Sequence, residues 1–338
     1  MKIVLDAMGG DHAPAVTVEG GVLAARSLGD TVILVGRQDV VNQELAKHDT
    51  TQLDLPVVHA SEVIEMEEHP ATAVRSKKDS SMVVGMELVR RGEADAFVSV
   101  GNTGGVLAAA LLHLGRIKGV KRPALSTIFP TRTGHCFMLD IGANADVKPE
   151  YLYQFATMGA AYAELVLGFK NPRVGLVSIG EEPGKGNQLV QEAFDLLAHS
   201  TLNFIGNVEG KDIPRGLADV VVTDGFTGNV IIKLGEGVAG LLMEVLEEEI
   251  RRRPLAMAGA LLAKGAFSAV KGRLDYRKYG GGALLGVDGV VIVGHGRSDA
   301  TAVAKAIEVA HQAVERNIVE AIRQGISEAE LHMARSDS

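Results

Sequence analysis

The stretch beginning at Asp219, DVVVTDGFTGNVIIKLGEG, constrains this chain more than any other. Val220–Val222 reads as a short buried strand. Thr223–Asn229 reads as a polar turn, and a long helical pattern follows it. Strand, Gly-rich turn, helix is how an open α/β sheet presents backbone N–H groups to an anion at the carboxyl edge of its strands. Glycine lets the backbone come close, and the helix N-terminus supplies partial positive charge. The arrangement recurs. Ile3–Leu5 runs into DAMGGDHAP, Phe97–Val100 into GNTGG, Phe137–Ile141 into GAN, and Val174–Ile179 into GEEPGKGN. One such turn is ordinary loop chemistry. Five of them point to one shared cleft.

Strands alternate with helical patterns along the chain. The predicted class is α/β, with a mostly parallel open sheet and helices on both faces. Thr31–Gly36 and Leu55–Ala60 are further strands. Ala124–Phe129 with Cys136–Ile141, and Ala283–Val287 with Val290–Val293, read as hairpins. Predicted helices run from Pro14 to Leu28, Asp39 to Lys47, Gly105 to Gly115, Pro149 to Gly168, Gln188 to His199, Gly228 to Arg253 and Leu255 to Val270. A last one is capped by Ser298 and reaches about Arg323. Ser81 is the expected cap of a helix ending near Arg91. No linker breaks the sequence. Residues 1–330 are therefore expected to form one catalytic domain, as a single body or two lobes, with a helical protrusion at about 240–275 and a tail at 331–338.

Composition excludes several classes. The 338 residues are 46% hydrophobic and 22% charged, enough to bury a full core. The net charge is −8, aromatics make up 4% and Trp is absent, which argues against nucleic-acid binding. The single cysteine, Cys136, lies in an apolar strand and fits a reducing compartment. It reads as a core residue, with a nucleophile as the alternative. The chain opens directly on a strand, so no secretory leader is expected. No apolar run approaches the roughly 20 residues of a spanning helix. A cytoplasmic protein able to lie on a membrane is the expectation.

Gly180–Lys185 resembles a phosphate loop but fails the GxxxxGK[ST] test. Only three residues separate Gly180 from Gly184, and Gly186 stands where the Mg²⁺-binding hydroxyl would be. No GxGxxG follows a strand, which counts against a dinucleotide site. Asp6, Asp11 and His12 fit turn structure, substrate contact or a metal, and His295 is similarly open. Arg75, Lys77 and Lys78 form a basic knot, either a solvated face or a contact for an anionic partner. Arg251–Lys278 holds eight Lys/Arg and one acid in an otherwise acidic chain. Wound as one helix, its Leu255, Leu262, Ala266 and Ala269 share a face opposite Lys264, Ser268 and Lys271. Such a helix can lie on an anionic membrane, meet an acidic partner or simply pack.

Taken together, VLDAMGGDHAP, AVRSKKDSSM, SVGNTGG, GRIKGVKRPAL, DIGANADVKPE, IGEEPGKGN, FIGNVEG and DVVVTDGFTGNV resemble the bacterial phosphate acyltransferases of the PlsX type. The matches keep one order from residue 4 to about residue 230, and YGGGALLGVDG and the final helix continue them. Residues 240–275 match in character only, and Gly184 stands where a bulkier residue is expected. The resemblance implies that a fatty acyl group passes from the thioester of acyl carrier protein to inorganic phosphate. The acyl phosphate then feeds glycerol-3-phosphate acylation in phospholipid synthesis. It further implies a homodimer, peripheral contact with the membrane or with the downstream glycerol-3-phosphate acyltransferase, and a fold similar to isocitrate/isopropylmalate dehydrogenases and phosphotransacetylases. Neither a cofactor nor a resident metal is expected.

The residues suit that chemistry. Phosphate is an anionic nucleophile near neutral pH, its esters having a second pKa of roughly 6. A thiolate, with a reference pKa of about 8.5, leaves with little acid help. What the reaction needs is positioning and donors for an oxyanion. His12, Lys185 and Asn229 are the expected catalytic residues. Substrate contacts are expected from Asp6, Asp11, Gly101, Asn102, Thr103, Gly104, Asn144, Asn187, Asp224, Thr227 and Gly228. Arg75, Lys77, Lys78, Arg252, Arg253, Leu255, Leu262 and Phe267 are expected to meet membrane or carrier protein. The competing readings are an acyl-CoA:phosphate transferase, a dehydrogenase of similar fold, and a non-catalytic scaffold at the membrane surface.

Overall fold

A computed structural model describes residues 1–274 and 279–336 of the chain. Its first strands, β1 (Lys2–Asp6) and β2 (Thr31–Gly36), are apolar runs buried almost throughout, as central parallel strands must be. Between them α1 (Ala15–Leu28) ends at Gly29, whose φ of 70° supplies the left-handed turn that closes a helix. Then come α2 (Gln38–Leu45), β3 (Val57–His59), α3 (Pro70–Ser76), α4 (Ser81–Arg90), β4 (Ala96–Ser99) and α5 (Thr103–His113). A hairpin of β5 (Ala124–Thr131) and β6 (Gly134–Leu139) leads into α6 (Pro149–Leu165), which is apolar nearly all round and buried along most of its length. The next elements are β7 (Val174–Val177), α7 (Gln188–Ala198), β8 (Phe204–Val208) and β9 (Val220–Val222). The chain closes with α8 (Gly225–Arg251), α9 (Pro254–Leu262), α10 (Lys264–Leu274), the hairpin β10 (Gly282–Leu285) and β11 (Val290–Val293), then α11 (Ala300–Glu315) and α12 (Ile318–Ser336).

The eleven strands of the described residues form one sheet, in the order β3-β2-β1-β4-β11-β10-β5-β6-β9-β7-β8. Seven neighbouring pairs are parallel, and the three in the middle are antiparallel: β11 with β10, β10 with β5, and β5 with β6. Three reversals invert the direction once. The carboxyl ends of β1, β4 and β11 therefore lie at one edge of the sheet, and those of β6, β9 and β7 at the other. Helices cover both faces. α1, α6, α11 and α12 pack over one large core cluster, α4 and α5 over a second, and α8 over a third around Met138 and Val221. Ile141 packs against both the second and the third, so the turn after β6 joins the two halves.

Several expected boundaries move. Pro70–Ser76, to which the sequence pattern assigns no element, is a helix. Ser80, not Ser81, caps α4, its hydroxyl accepting from Val83 N–H at 3.4 Å. Asp299, not Ser298, caps α11. Asn317, at φ 51°, breaks the last helical pattern into α11 and α12. The pattern after Pro254 also breaks, at Ala263, into α9 and α10, so no single amphipathic helix spans residues 255–270. α8 begins at Gly225, three residues early, which places Thr227, Gly228 and Asn229 inside its first turns.

Candidate functional site

The five Gly-rich turns gather into three groups rather than one. The first joins the ends of β1 and β4. Asp6, wholly buried, accepts from Ser99 Oγ at 2.7 Å and from Met8 N–H at 3.1 Å. Burial pushes its carboxyl up, against the pull of hydrogen bonds from Ser81, Ser99, Met8 and Gly9. Gly9 and Gly101 touch across this carboxyl. A Cβ at Gly9 would stand 2.6 Å from Asp6 Oδ2 and 2.8 Å from Gly101 N, so only glycine lets the turns meet. Asp11 N–H donates to Gly296 O at 2.9 Å, bringing the loop after β11 into the group. Asn102 caps α5, its Oδ1 accepting from Gly105 N–H at 2.9 Å while its amide donates to the carbonyls of Glu65, Met66 and Glu68. Its hydrogens are engaged. Asn102 therefore holds the acidic loop against α5 with its amide. Thr103 and His12 are exposed, and the His12 ring engages no described residue. Gly104 packs against Pro70 at the start of α3.

The second group joins the ends of β6 and β9 around a residue the sequence reading missed. Asp140, with no exposed surface, accepts five hydrogen bonds. Oδ1 takes the N–H groups of Leu125 (3.1 Å), Gly142 (3.2 Å) and Ala143 (3.0 Å). Oδ2 takes Asn144 N (2.7 Å) and Asn144 Nδ2 (2.9 Å). Burial pushes this carboxyl up too, opposed by those N–H groups. Asn144 Nδ2 also donates to Pro123 O at 2.7 Å, so this amide is committed within the protein as well. The start of α8 locks onto the same turn. Gly225 N–H donates to Asn144 O at 2.8 Å, and a methyl at Gly228 would overlap the carbonyl of Asp140. Asp224 caps α8, accepting from Thr227 N (2.8 Å) and Thr227 Oγ1 (2.7 Å). Asn229 is exposed on the second turn, with no partner among the described residues. The sequence signal for Asp140 was the Asp ending the apolar strand before GAN, and it looked like any turn aspartate.

The third group follows β7. Asn187 caps α7, accepting from Val190 N–H at 3.0 Å. Lys185 is exposed, folds its stem over Gly180 and pairs with no described carboxylate. Beneath the loop, Ser178 Oγ and Asn207 Oδ1 are buried with no partner among the described residues, and a Cβ at Gly186 would lie 3.1 Å from the Ser178 hydroxyl. Asn207 fixes the loop by donating to Glu182 O at 2.9 Å. Nearby, the carboxylates of Glu181, Glu209 and Asp212 come within 4.8 Å of one another. Lys211 already stands among them, 2.8 Å from Glu209 and 3.7 Å from Glu181, and its own pKa is raised by the Glu209 contact first.

α5 relates the first two groups. Its N-terminus sits in the first, and the loop after its C-terminus ends at Pro123 in the second. The helix itself rises ~16 Å over its eleven residues, at ~1.5 Å each, before the loop to Pro123 begins.

The expected membrane or carrier contacts divide. Lys77 is bound to Glu68 and the Val63 carbonyl, both at 2.7 Å, while Arg75 and Lys78 are exposed. Arg251, Arg252 and Arg253 pair with Glu247, Glu248 and Glu249, so this basic run is largely neutralised by its own helix. Arg277 and Lys278 lie outside the described residues. Leu255 and Leu262 are each 90% exposed, and Phe267 is half-buried. The exposed residues of α8 include Val230, Leu234, Val238, Leu241 and Val245, an apolar stripe at helical spacing. Cys136 is buried and its thiol is pushed up to about 12 by burial, which leaves no thiolate for attack.

The sequence profile of the family described as "Fatty acid synthesis protein" matches residues 1–321. A protein named phosphate acyltransferase from Dictyoglomus turgidum is 50% identical over 329 residues, covering 97% of this chain and 98% of its own. One of the same name from Heliobacterium modesticaldum is 51% identical over 327 residues, covering 96% and 98%. Among solved structures, a phosphotransacetylase from Streptococcus pyogenes superposes with a TM-score of 0.62 at 18% identity, covering 93% of this chain and 94% of its own. A putative 4-hydroxythreonine-4-phosphate dehydrogenase from Salmonella typhimurium gives 0.52 at 13% identity, covering 92% and 98%. These two are likenesses of fold.

Proposed function

We propose, for a chain that belongs to the phosphate acyltransferase family and so transfers acyl groups to phosphate, that the donor is the fatty acyl thioester of acyl carrier protein. Phosphate oxygen attacks the thioester carbonyl. The new C–O bond forms, the C–S bond breaks, and the carrier leaves as a thiolate that takes a proton from solvent. Phosphate binds at the loop after β7. The observation that carries this reading is Lys185, an unpaired ammonium two residues before the neutral cap of α7, above the unpartnered Ser178 hydroxyl. Charge, a helix N-terminus and a hydroxyl donor together suit a phosphate. The N-terminus of α8 is less suited, because Asp224 already supplies its negative charge.

Asn229, on the same edge of the sheet as Lys185, is the donor for the thioester oxygen, since its side chain, unlike those of Asn102 and Asn144, stays uncommitted, while His12 lies at the other edge. An oxyanion donor is typically worth ~10²–10³ in rate. The apolar stripe of α8 receives a second copy of the chain. α9 rests reversibly on the membrane through Leu255 and Leu262, where the labile acyl phosphate passes to a glycerol-3-phosphate acyltransferase. No described helix is long and apolar enough to cross a membrane. The test is Lys185→Ala. It should raise the KM for phosphate or abolish turnover while the melting transition stays put, and unchanged phosphate kinetics would remove Lys185 from the site.

A further inference from the structure

The turn between α5 and β5 carries Arg116, Lys118, Lys121 and Arg122, four cations within seven residues of a chain whose net charge is −8. All four are exposed, and none is ion-paired among the described residues. This sets them apart from Lys77 and from Arg251–Arg253, whose charges are met locally. The backbone beneath them is fixed. Ile117 and Val120 are buried, and Ile117 N–H donates to Gly286 O at 3.0 Å. Gln154, buried in α6, accepts from Lys121 N–H at 2.8 Å and donates to Gly119 O at 3.0 Å. The Arg116 guanidinium closes the turn onto the Lys121 carbonyl. Glu330 lies against Gly119, and the Asp288 carboxylate is taken by Arg323.

Three of these cations, Arg116, Lys121 and Arg122, line a concave pocket whose other walls are Leu111, Pro123 and Tyr151. Pro123 is also the residue whose carbonyl receives Asn144 Nδ2, so the pocket opens beside the Asp140 turn and the start of α8. A rigid turn of unmatched cations against an apolar and aromatic wall fits a ligand with a phosphate at one end and a neutral, flexible arm beyond it.

We propose that this pocket takes the phosphate of a phosphopantetheine thioester, with Lys121 and Arg122 on the phosphate and Leu111, Pro123 and Tyr151 along the arm. The inference rests on the reading of the donor as an acyl thioester. It places entry of the donor at the α5–β5 turn, not at Arg75–Lys78 or Arg251–Lys278. The phosphate belongs either to the phosphodiester of a carrier protein or to coenzyme A.

The experiment compares wild type with Lys121→Ala/Arg122→Ala. Direct titration with phosphopantetheine and with pantetheine should show binding of the first to wild type, weakened about tenfold or more in the variant, and little difference for the second. In turnover, the variant should raise the KM for the phosphorylated donor by a similar factor and leave acyl-pantetheine and the KM for inorganic phosphate unchanged. Loss with acyl carrier protein alone identifies the protein-borne phosphate, and loss with acyl-CoA alone the nucleotide. Equal phosphopantetheine affinity in the two proteins overturns the proposal, as does an equal loss with acyl-pantetheine. Because the titration needs no reaction, a wild type that binds but turns over no thioester would refute the donor reading and leave the pocket standing.

Discussion

Replacing Asp140 by asparagine keeps the shape of the side chain and turns one acceptor oxygen into a donor. The structure sets the magnitude. Oδ2 accepts two N–H groups and Oδ1 three, so in either orientation at least two donors face an NH₂ group. Asp140 has no exposed surface, which bars water from replacing the lost acceptor. A buried donor left unmatched costs about 1–3 kcal/mol, so Asp140→Asn should cost about 2–6 kcal/mol. That is a large share of the ~5–15 kcal/mol that holds a typical domain together. All five partners are N–H groups, so a neutral carboxylic acid would have no acceptor for its own proton. The anion is therefore the working form despite burial. Urea unfolding followed by circular dichroism is the assay, with a lower midpoint and an unchanged slope expected. Because α8 is registered on this turn through Gly225 and Gly228, turnover should fall together with stability. A loss below ~1 kcal/mol would refute the claim that Asp140 organises the turn.

Three other outcomes are expected. Burial pushes Asp30 up, but the hydrogen bonds and charges of the Met1 ammonium and His311 outweigh it and hold the carboxyl low. Its stabilisation is therefore full above the unfolded pKa of about 3.9 and is lost as pH falls through the lower folded value. The Tm gap between wild type and Asp30→Asn should be open at neutral pH and close in strong acid, and a gap constant with pH would contradict this. Native Cys136, buried with its thiol pushed up to about 12, should resist alkylation, and Cys136→Ala should keep its activity; an acyl group trapped on Cys136 would overturn direct attack by phosphate. Leu262→Glu should abolish binding to anionic vesicles and leave a folded, active protein, because the side chain is 90% exposed and burying it is worth about 1.5–3 kcal/mol. Loss of the melting transition would make it a core residue instead.

Most of the elements were legible in the sequence. β2 and β9 have the predicted bounds, because each is a short apolar run closed by turn residues on both sides. The direction of the strands was not legible. Both hairpins announce themselves locally, but the antiparallel pairing of β10 with β5 joins residues about 160 positions apart. That one pairing helps carry the turns after β6, β9 and β7 to the opposite edge. The site was legible as a set of turns and not as a division of labour. Nothing local to Asn102 or Asn144 says that a carbonyl three dozen residues away, or a neighbouring carboxylate, already holds its amide. Charge was misleading for the same reason. Arg251–Arg253 look basic in sequence, but the preceding glutamates lie one turn away and neutralise them, while Arg116–Arg122 has no such neighbours.

The most direct test of the account mixes the purified protein with palmitoyl-acyl carrier protein and varies inorganic phosphate. Free carrier thiol and acyl phosphate are measured together. The account predicts equal amounts of the two, rising with phosphate to saturation, and none of either without it. Thiol release that ignores phosphate, or that yields free fatty acid in place of acyl phosphate, would contradict it.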